Sequence, residues 1–421
     1  MNTIQKRISG GIILLAVFVA SYAPAWAQRD LMYYRPDNQD GLNLFEPSKD
    51  TDYVFDGLHV KVGGDFALQF QGLNQENSLN NLVELGSNLN LPTANLNLDV
   101  QLDDGVRMHL RTYLSAQHHQ ESWVKGGYLQ IDKLDFVSEG FLEDLMKYTT
   151  IKVGMDEINF GDAHFRRTDN ARAIFNPFVG NYIMDAFSTE AFAEVLLQNN
   201  GLLALVAVSN GKLNQSVVVN DNTDNKLSFY GKLGYDDQLS EDLRVRLTGS
   251  WYINKGMSTG SYIYGGDRAG SRYYNVMHTA EEGSDFEGRF NPRFREMTTV
   301  QVNPFVKFKG LEFFGGFEVA SNSEEQGNGQ FTQYAAEVLY RFGAKEQLYI
   351  GGRYNQVSGE MNEGEDEITI DRFNIGGGWF LTKNIVTKIE YVNQEYDGFA
   401  ADSRYNGGKF NGVNIEAAIS F

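Results

Sequence analysis

The chain contains no cysteine. That absence excludes disulfide staples, thiolate metal sites and a lipid anchor built on an N-terminal cysteine. Prolines number only seven in 421 residues, so few strands or helices are interrupted. Beyond the first 27 residues there is no apolar run of about 18 residues, which excludes a transmembrane helix. Basic residues are also in deficit, with 36 Lys and Arg against 55 Asp and Glu. A chain of formal charge −19 lacks the basic face that nucleic-acid binding needs. What is abundant is glycine, at 44 residues, and aromatics, at 13%. Both suit a large β structure.

Residues 1–27 read as a cleaved export signal. Lys6 and Arg7 form the positive region, Ile12 to Ala20 an apolar stretch too short to span a bilayer, and Ala25-Trp26-Ala27 the cleavage site. Loss of Lys6 and Arg7 takes the formal charge from −19 to −21. Residues 28–57 are polar and aperiodic, with Pro36 and Pro47, and read as an N-terminal periplasmic extension. From Leu58 to Phe421 the pattern is period two, which marks strands lying between two different environments.

Sixteen strands are predicted, at 58–72, 94–102, 106–116, 123–132, 148–157, 190–198, 202–209, 226–236, 242–253, 299–308, 311–320, 331–342, 346–357, 368–380, 384–395 and 408–421. Many match the ~9–11 residues of a tilted bilayer-crossing strand. Tight turns such as Asp103-Asp104-Gly105 and Asn199-Asn200-Gly201 alternate with longer loops at 73–93, 158–189, 210–225, 254–298, 321–330, 358–367 and 396–407. Two connections break the alternation: 117–122 is short and 133–147 is long, the latter with a helical turn. The fold expected is an all-β transmembrane antiparallel up-and-down barrel of about 16 strands in a Gram-negative outer membrane. The last strand, with Val413, Ile415, Ala417, Ile419 and Phe421 on one face, resembles the C-terminal signal of such barrels.

Sixteen strands are expected to leave an aqueous lumen. Placing the apolar face outward sends twelve bases inward: Lys61, Arg107, Arg111, Lys152, Lys232, Arg244, Arg246, Lys307, Arg341, Arg353, Arg372 and Lys388. Nine acids go with them: Asp65, Asp99, Asp156, Glu194, Glu312, Glu318, Glu337, Glu390 and Glu416. The surplus of three bases favours anions; pairing of opposite charges across neighbouring strands would cancel it. Trp251, Trp379, Tyr391 and Phe421 fall where aromatic girdles belong.

The segment 158–189 is too long and too apolar for an ordinary loop, and is expected to fold inward as a constriction. It carries His164, Arg166, Arg167 and Arg172, interleaved with Asp162, Asp169 and Asp185. With Arg107, Arg111, Lys152, Arg244 and Arg246 on the wall, these are the candidate pore-lining residues. The run VGMDEINFGDAHFRRTDNARAIFNPFVGNYIMDAF, with YRPDNQDGLNLFEPSKDT in the extension, resembles porins of the phosphate-selective porin O/P type, especially those of Bacteroidetes-like bacteria. The resemblance implies a water-filled channel, a homotrimer and passage of small hydrophilic anions. This chain lacks the long arginine ladder of the phosphate-selective members. Replacing Arg166 and Arg167 by Glu is expected to weaken anion preference without unfolding the barrel.

Other motifs carry little. Gly256-Met257-Ser258-Thr259-Gly260 has the G-x-S-x-G spacing but no strand–turn–helix around it. His118, His119 and Glu121 lie in one loop, and Asp221 and Asp224 lack the Gly and distal Glu of a calcium loop. Neither an enzyme nor a cofactor or metal site is expected. The partners expected are outer-membrane lipid, lipopolysaccharide (reached by acidic loops through divalent ions) and small anionic or polar solutes. The rival reading is a non-conducting barrel serving as a structural or adhesive subunit of a surface complex.

Overall fold

The computed structural model describes residues 31–49, 53–90, 92–115, 122–212, 217, 219, 225–256, 262–265, 273–282 and 286–421. The export signal, His118, His119, Glu121, Met257 to Gly260, Asp221 and Asp224 lie outside the described residues. The 16 long strands are β1 His59–Glu76, β2 Thr93–Asp103, β3 Val106–Ser115, β4 Ser122–Ile131, β5 Thr149–Glu157, β6 Thr189–Asn199, β7 Leu202–Ser209 and β8 Ser228–Gln238, then β9 Leu243–Asn254, β10 Met297–Phe308, β11 Leu311–Asn322, β12 Asn328–Phe342, β13 Leu348–Asn362, β14 Ile368–Thr382, β15 Ile385–Asp397 and β16 Lys409–Ser420. Each pairs antiparallel with its chain neighbours. β16 returns to β1, from Asp65 opposite Ser420 to Glu76 opposite Lys409, so the sheet closes on itself. Closure removes the free edges that a membrane could not solvate.

Several strands run past their predicted ends at the long-loop side, as in Asn74-Gln75-Glu76 of β1 and Glu360-Met361-Asn362 of β13. There the strands leave the apolar belt, so pairing continues while the alternation that reveals it fades. Pro304 sits inside β10 without breaking it. Its missing N–H interrupts the ladder to β11, and the Asn303 side chain donates instead to the Gly315 carbonyl at 3.1 Å.

The face assignment holds throughout. Val60, Leu96, Leu247, Trp251, Val338, Ile375, Trp379, Ile415 and Phe421 are exposed on the outside. The inward set is buried or half-buried. Charged inward residues beyond the twelve bases and nine acids are Lys125, Asp132, Glu157, Glu190 and Asp236. Lys125 sits at a β-bulge where Arg111 faces Gly126 and Thr112 faces Val124, and the extra residue re-aims its side chain inward. Glu190 and Asp236 lie at the ends of their predicted strands.

The expected aqueous lumen is largely filled. Three segments enter it: residues 31–49 at the short-turn end, 158–188 in the middle, and parts of 262–294 at the long-loop end. Residues 158–188 are buried apart from Ala163, Phe165 and Arg172, which are half-buried. Their apolar side chains pack against inward wall residues, as Ala171, Ile174, Phe175 and Phe178 do against Leu339, Tyr349, Phe380 and Val386. A wide barrel can be filled by chain as well as by water when enough apolar surface is available.

Glycine in the wall tests this packing. A Cβ at Gly154 would stand 2.3 Å from the Gly127 carbonyl and 2.5 Å from Tyr128 Cα, whereas one at Gly249 meets nothing within 4 Å. Gly154→Val should cost about 1–3 kcal/mol of barrel stability, and Gly249→Val less than about 0.5 kcal/mol. The loss of the heat-modifiable band in gels on heating in detergent would register the difference.

Candidate functional site

The inward loop owes its position to wall side chains that complete its backbone hydrogen bonds. The loop has little regular structure, so its N–H and C=O groups need partners inside the barrel. Asn303 accepts from the Asp162 amide at 2.8 Å, Asn355 from Ile183 at 2.6 Å, Gln333 from Met184 at 2.8 Å and Glu390 from Val179 at 2.8 Å. Lys388 Nζ donates to the carbonyls of Ala173, Asn176 and Phe178, and Arg353 to that of Gly180. Gly180 also lies against Tyr273 of the third inward segment; a Cβ there would be 2.2 Å from the phenolic oxygen.

Ion pairs fix the charged residues of the loop. Arg166 reaches Glu312 at 2.6 Å and also binds Glu337 and the Asn43 side chain. Arg167 forks onto Asp185 at 2.6 to 3.1 Å and stacks 3.9 Å from the Phe187 ring. On the wall, Arg246 clasps Asp162 at 2.7 and 2.8 Å and also meets Glu46, while Arg244 forks onto Asp236 at 2.7 and 2.8 Å. Such bidentate forks are the strong form of the Arg–carboxylate contact.

The other predicted site residues gather elsewhere. Arg107, Arg111, Lys152, His164 and Arg172 line one cavity of about 140 Å³, between residues 33–47 and the wall from β2 to β6. Arg166, Arg167, Arg244 and Arg246 stand outside that lining. The carboxylates of Asp37, Glu46, Asp99, Asp156, Glu157 and Glu194 share it. Contacts here are mixed: His164 meets Glu157 at 2.5 Å and His109 meets Asp99 at 2.9 Å, whereas Lys152 is 3.8 Å from Glu194, and Arg172 is 3.5 Å from Asp37 and 3.9 Å from Glu157. Arg107 donates to Asp99 at 3.1 Å and to Gln130 at 2.7 Å, which leaves its Nε without a hydrogen bond, and the Nε of Arg172 has only the 3.5 Å ion pair with Asp37. Buried polar atoms of this kind, facing open space, are places for water or a polar solute.

Residues 31–49 close one side of the cavity and were legible in sequence only as an extension. Phe45 packs edge-on against Phe165 and Phe305, with ring centroids 5.6 and 5.4 Å apart. Arg35 donates to the Phe165 carbonyl at 3.0 Å and stacks 3.8 Å from the Phe175 ring. Gln39 and Asp40 hold the turns at Lys345 and Lys383. Glu46 lies between Lys232, at 3.0 Å, and Arg246, at 2.7 Å. Burial raises its pKa, but these two cations outweigh that and hold it at about 2.

No protein-family model matches the sequence, and no curated protein matches it. Solved structures do share its fold. The anion-selective porin from Comamonas acidovorans matches with 10% identity and TM-score 0.53, over 86% of this chain and 100% of that one. The outer membrane channel DcaP of Acinetobacter baumannii matches with 13% identity and TM-score 0.52, over 87% and 99%. OmpT of Vibrio cholerae, an outer membrane protein in its trimer form, matches with 12% identity and TM-score 0.51, over 87% and 100%. At these identities the likeness is one of fold.

Arg166→Met removes one partner from Glu312 and Glu337, each still held by Arg341 or Arg353, at 2.9 and 2.7 Å. The cost should be about 3 kcal/mol, the low end for a broken buried pair. Arg166→Glu adds a third carboxylate and should prevent refolding, contrary to the expectation from sequence that the barrel would tolerate it. The gel shift on heating reads both. Glu46, whose pKa is depressed on folding, contributes stability that is full above about pH 4.5 and falls away towards pH 2. Hydrogen exchange of residues 31–49 should therefore accelerate over that window, and Glu46→Gln should remove the dependence.

Proposed function

We propose that the chain is an outer-membrane porin of narrow bore that lets small polar solutes diffuse through the cavity between residues 33–47 and β2–β6. The observation that carries this reading is the cavity itself. It is a charged, water-accessible space left beside a loop that fills the rest of the lumen. The fold it shares with porins and channels supports the same conclusion. The cleaved export signal, an outer-membrane location amid lipid and lipopolysaccharide, and a homotrimer like the trimer form of OmpT belong to this reading.

Ion selectivity is expected to be weak, its slight preference for anions resting on two loosely held bases and not on the net charge of the lining. Five bases, Arg35, Arg107, Arg111, Lys152 and Arg172, line the cavity beside six carboxylates. The net field is small, and the looser bases Lys152 and Arg172 are the ones able to turn towards a passing phosphate-like anion. On the whole wall, adding Lys125 to the bases and Asp132, Glu157, Glu190 and Asp236 to the acids removes the basic surplus. No catalytic step or cofactor is part of the proposal.

One observation favours the second reading, a barrel that does not conduct and serves a surface complex. Inward wall residues such as Asn97, Lys232, Asn303, Asn355, Glu390 and Asn414 are fully covered. Single-channel recording of the refolded protein in planar bilayers separates the two. Small, stable steps with a slightly anion-biased reversal potential are expected, and no current at any voltage would sink the porin. Arg107→Gln combined with Lys152→Gln should move the reversal potential towards cations; an unchanged value would remove this cavity from the path.

A further inference from the structure

The short-turn end of the barrel carries one connection unlike its neighbours. β2–β3, β6–β7, β10–β11 and β14–β15 are joined there by two residues each, whereas Asp132 to Tyr148 separate β4 from β5. This connection is ordered by its own turns and by the short helix α1, Glu143–Met146, and Thr149 Oγ1 donates to the Leu145 carbonyl at 2.9 Å. It is also apolar where it meets solvent. Phe136 (56%), Val137 (59%), Phe141, Leu142, Leu145 (51%) and Tyr148 are all exposed.

Six large apolar side chains on one short connection form a continuous patch of the kind that marks a docking surface. Leu142 is held in the left-handed region, at φ 53°, where a bulky residue is an outlier. The fold thus keeps this side chain outward at an energetic cost. Around the patch stand Asp135, Glu139, Glu143 and Asp144, all exposed, with Lys147 paired to Asp144 at 2.7 Å. Apolar and acidic side chains thus alternate along one exposed connection.

The patch is continuous with the apolar belt of the barrel. Tyr148 shares a shallow groove with Leu197, Leu202, Ala204 and Leu233. Of these, Leu197, Leu202 and Leu233 are exposed outward on β6, β7 and β8. The occupant of that belt is lipid, and the groove carries the same environment onto the connection.

We propose that residues 134–148 are an interfacial foot, whose apolar side chains lie in the headgroup–acyl boundary of the leaflet at the short-turn end. The chemistry is that of an amphipathic segment at a membrane surface: large apolar groups in the boundary, acidic groups in water. The foot would fix the height of the barrel in the bilayer on the β4–β8 side. It rests on the membrane placement proposed above but not on conduction.

The absence of cysteine makes the test direct. Val137→Cys and Leu145→Cys in the full mature chain, each carrying an environment-sensitive fluorophore, are refolded into phosphatidylethanolamine–phosphatidylglycerol vesicles with and without brominated acyl chains. Leu202→Cys in the belt and Lys345→Cys in an exposed turn serve as references, and the heat-modifiable band confirms folding of each. Both foot labels should be quenched by brominated lipid and shielded from iodide, at a depth of about 5–10 Å. Labels as open to iodide as Lys345→Cys would overturn the foot. Shielding from iodide without lipid quenching would also overturn it, since protein, including a second copy, would then cover the patch. Failure of lipid to quench Leu202→Cys would instead bring down the membrane placement itself.

Discussion

A stretch of irregular chain inside a closed barrel is stable only if each of its backbone polar groups finds a partner that is not bulk water. Residues 158–188 meet this demand through the wall. Asn303, Gln333, Asn355 and Glu390 accept from loop amides, while Lys388 and Arg353 donate to loop carbonyls. An unpaired buried amide or carbonyl costs about 1–3 kcal/mol, so these contacts decide whether the loop can enter at all. They also explain a wall rich in Asn and Gln, which can satisfy either sense of hydrogen bond. The loop's shape and the side-chain chemistry of β10 to β16 are one specification.

Charge follows the same logic. In the loop-filled sector the guanidiniums of Arg166, Arg167 and Arg353 are matched by carboxylates at hydrogen-bond distance, as Arg166 is by Glu312 and Glu337. A desolvated charge without such a match would cost several kcal/mol. Arg372 satisfies the rule differently, donating to the Gln394 side chain and to the carbonyls of Asn181 and Gly288. Because burial enforces pairing, the formal charge of the wall says little about the field in any open space. That field depends on residues whose partners are distant enough for water to compete.

The barrel was legible in sequence because an apolar exterior and a polar interior impose a strict period of two. The inward assignment of Arg107, Arg246 or Glu337 needs only the parity of its apolar neighbours. Lys125 escaped because a bulge changes that parity. The filled lumen escaped for a deeper reason. Whether Phe175 and Phe178 pack against Leu339 and Tyr349 or border water depends on contacts between segments more than 150 residues apart, which no local pattern encodes. The same limit divides the candidate site. His164, Arg166, Arg167 and Arg172 lie within nine residues of each other, yet the first and last border the cavity and the middle two are sealed in ion pairs.

That division follows from the path of the chain across the lumen. Phe178, Val179 and Gly180 reach the wall at β13 to β15, where Tyr349, Arg353 and Glu390 hold them. On the other side the loop meets β2 and β4 through Asn170 and Asp169, while the half-buried Phe165 and Arg172 border the cavity. Residues 31–49 narrow the remaining space, anchored on β8 to β10 through Phe45 and Glu46 and on the opposite side through Met32 to Gln101, Tyr33 to Arg107 and Lys49 to Asp132. The open space is therefore displaced to one sector of the wall.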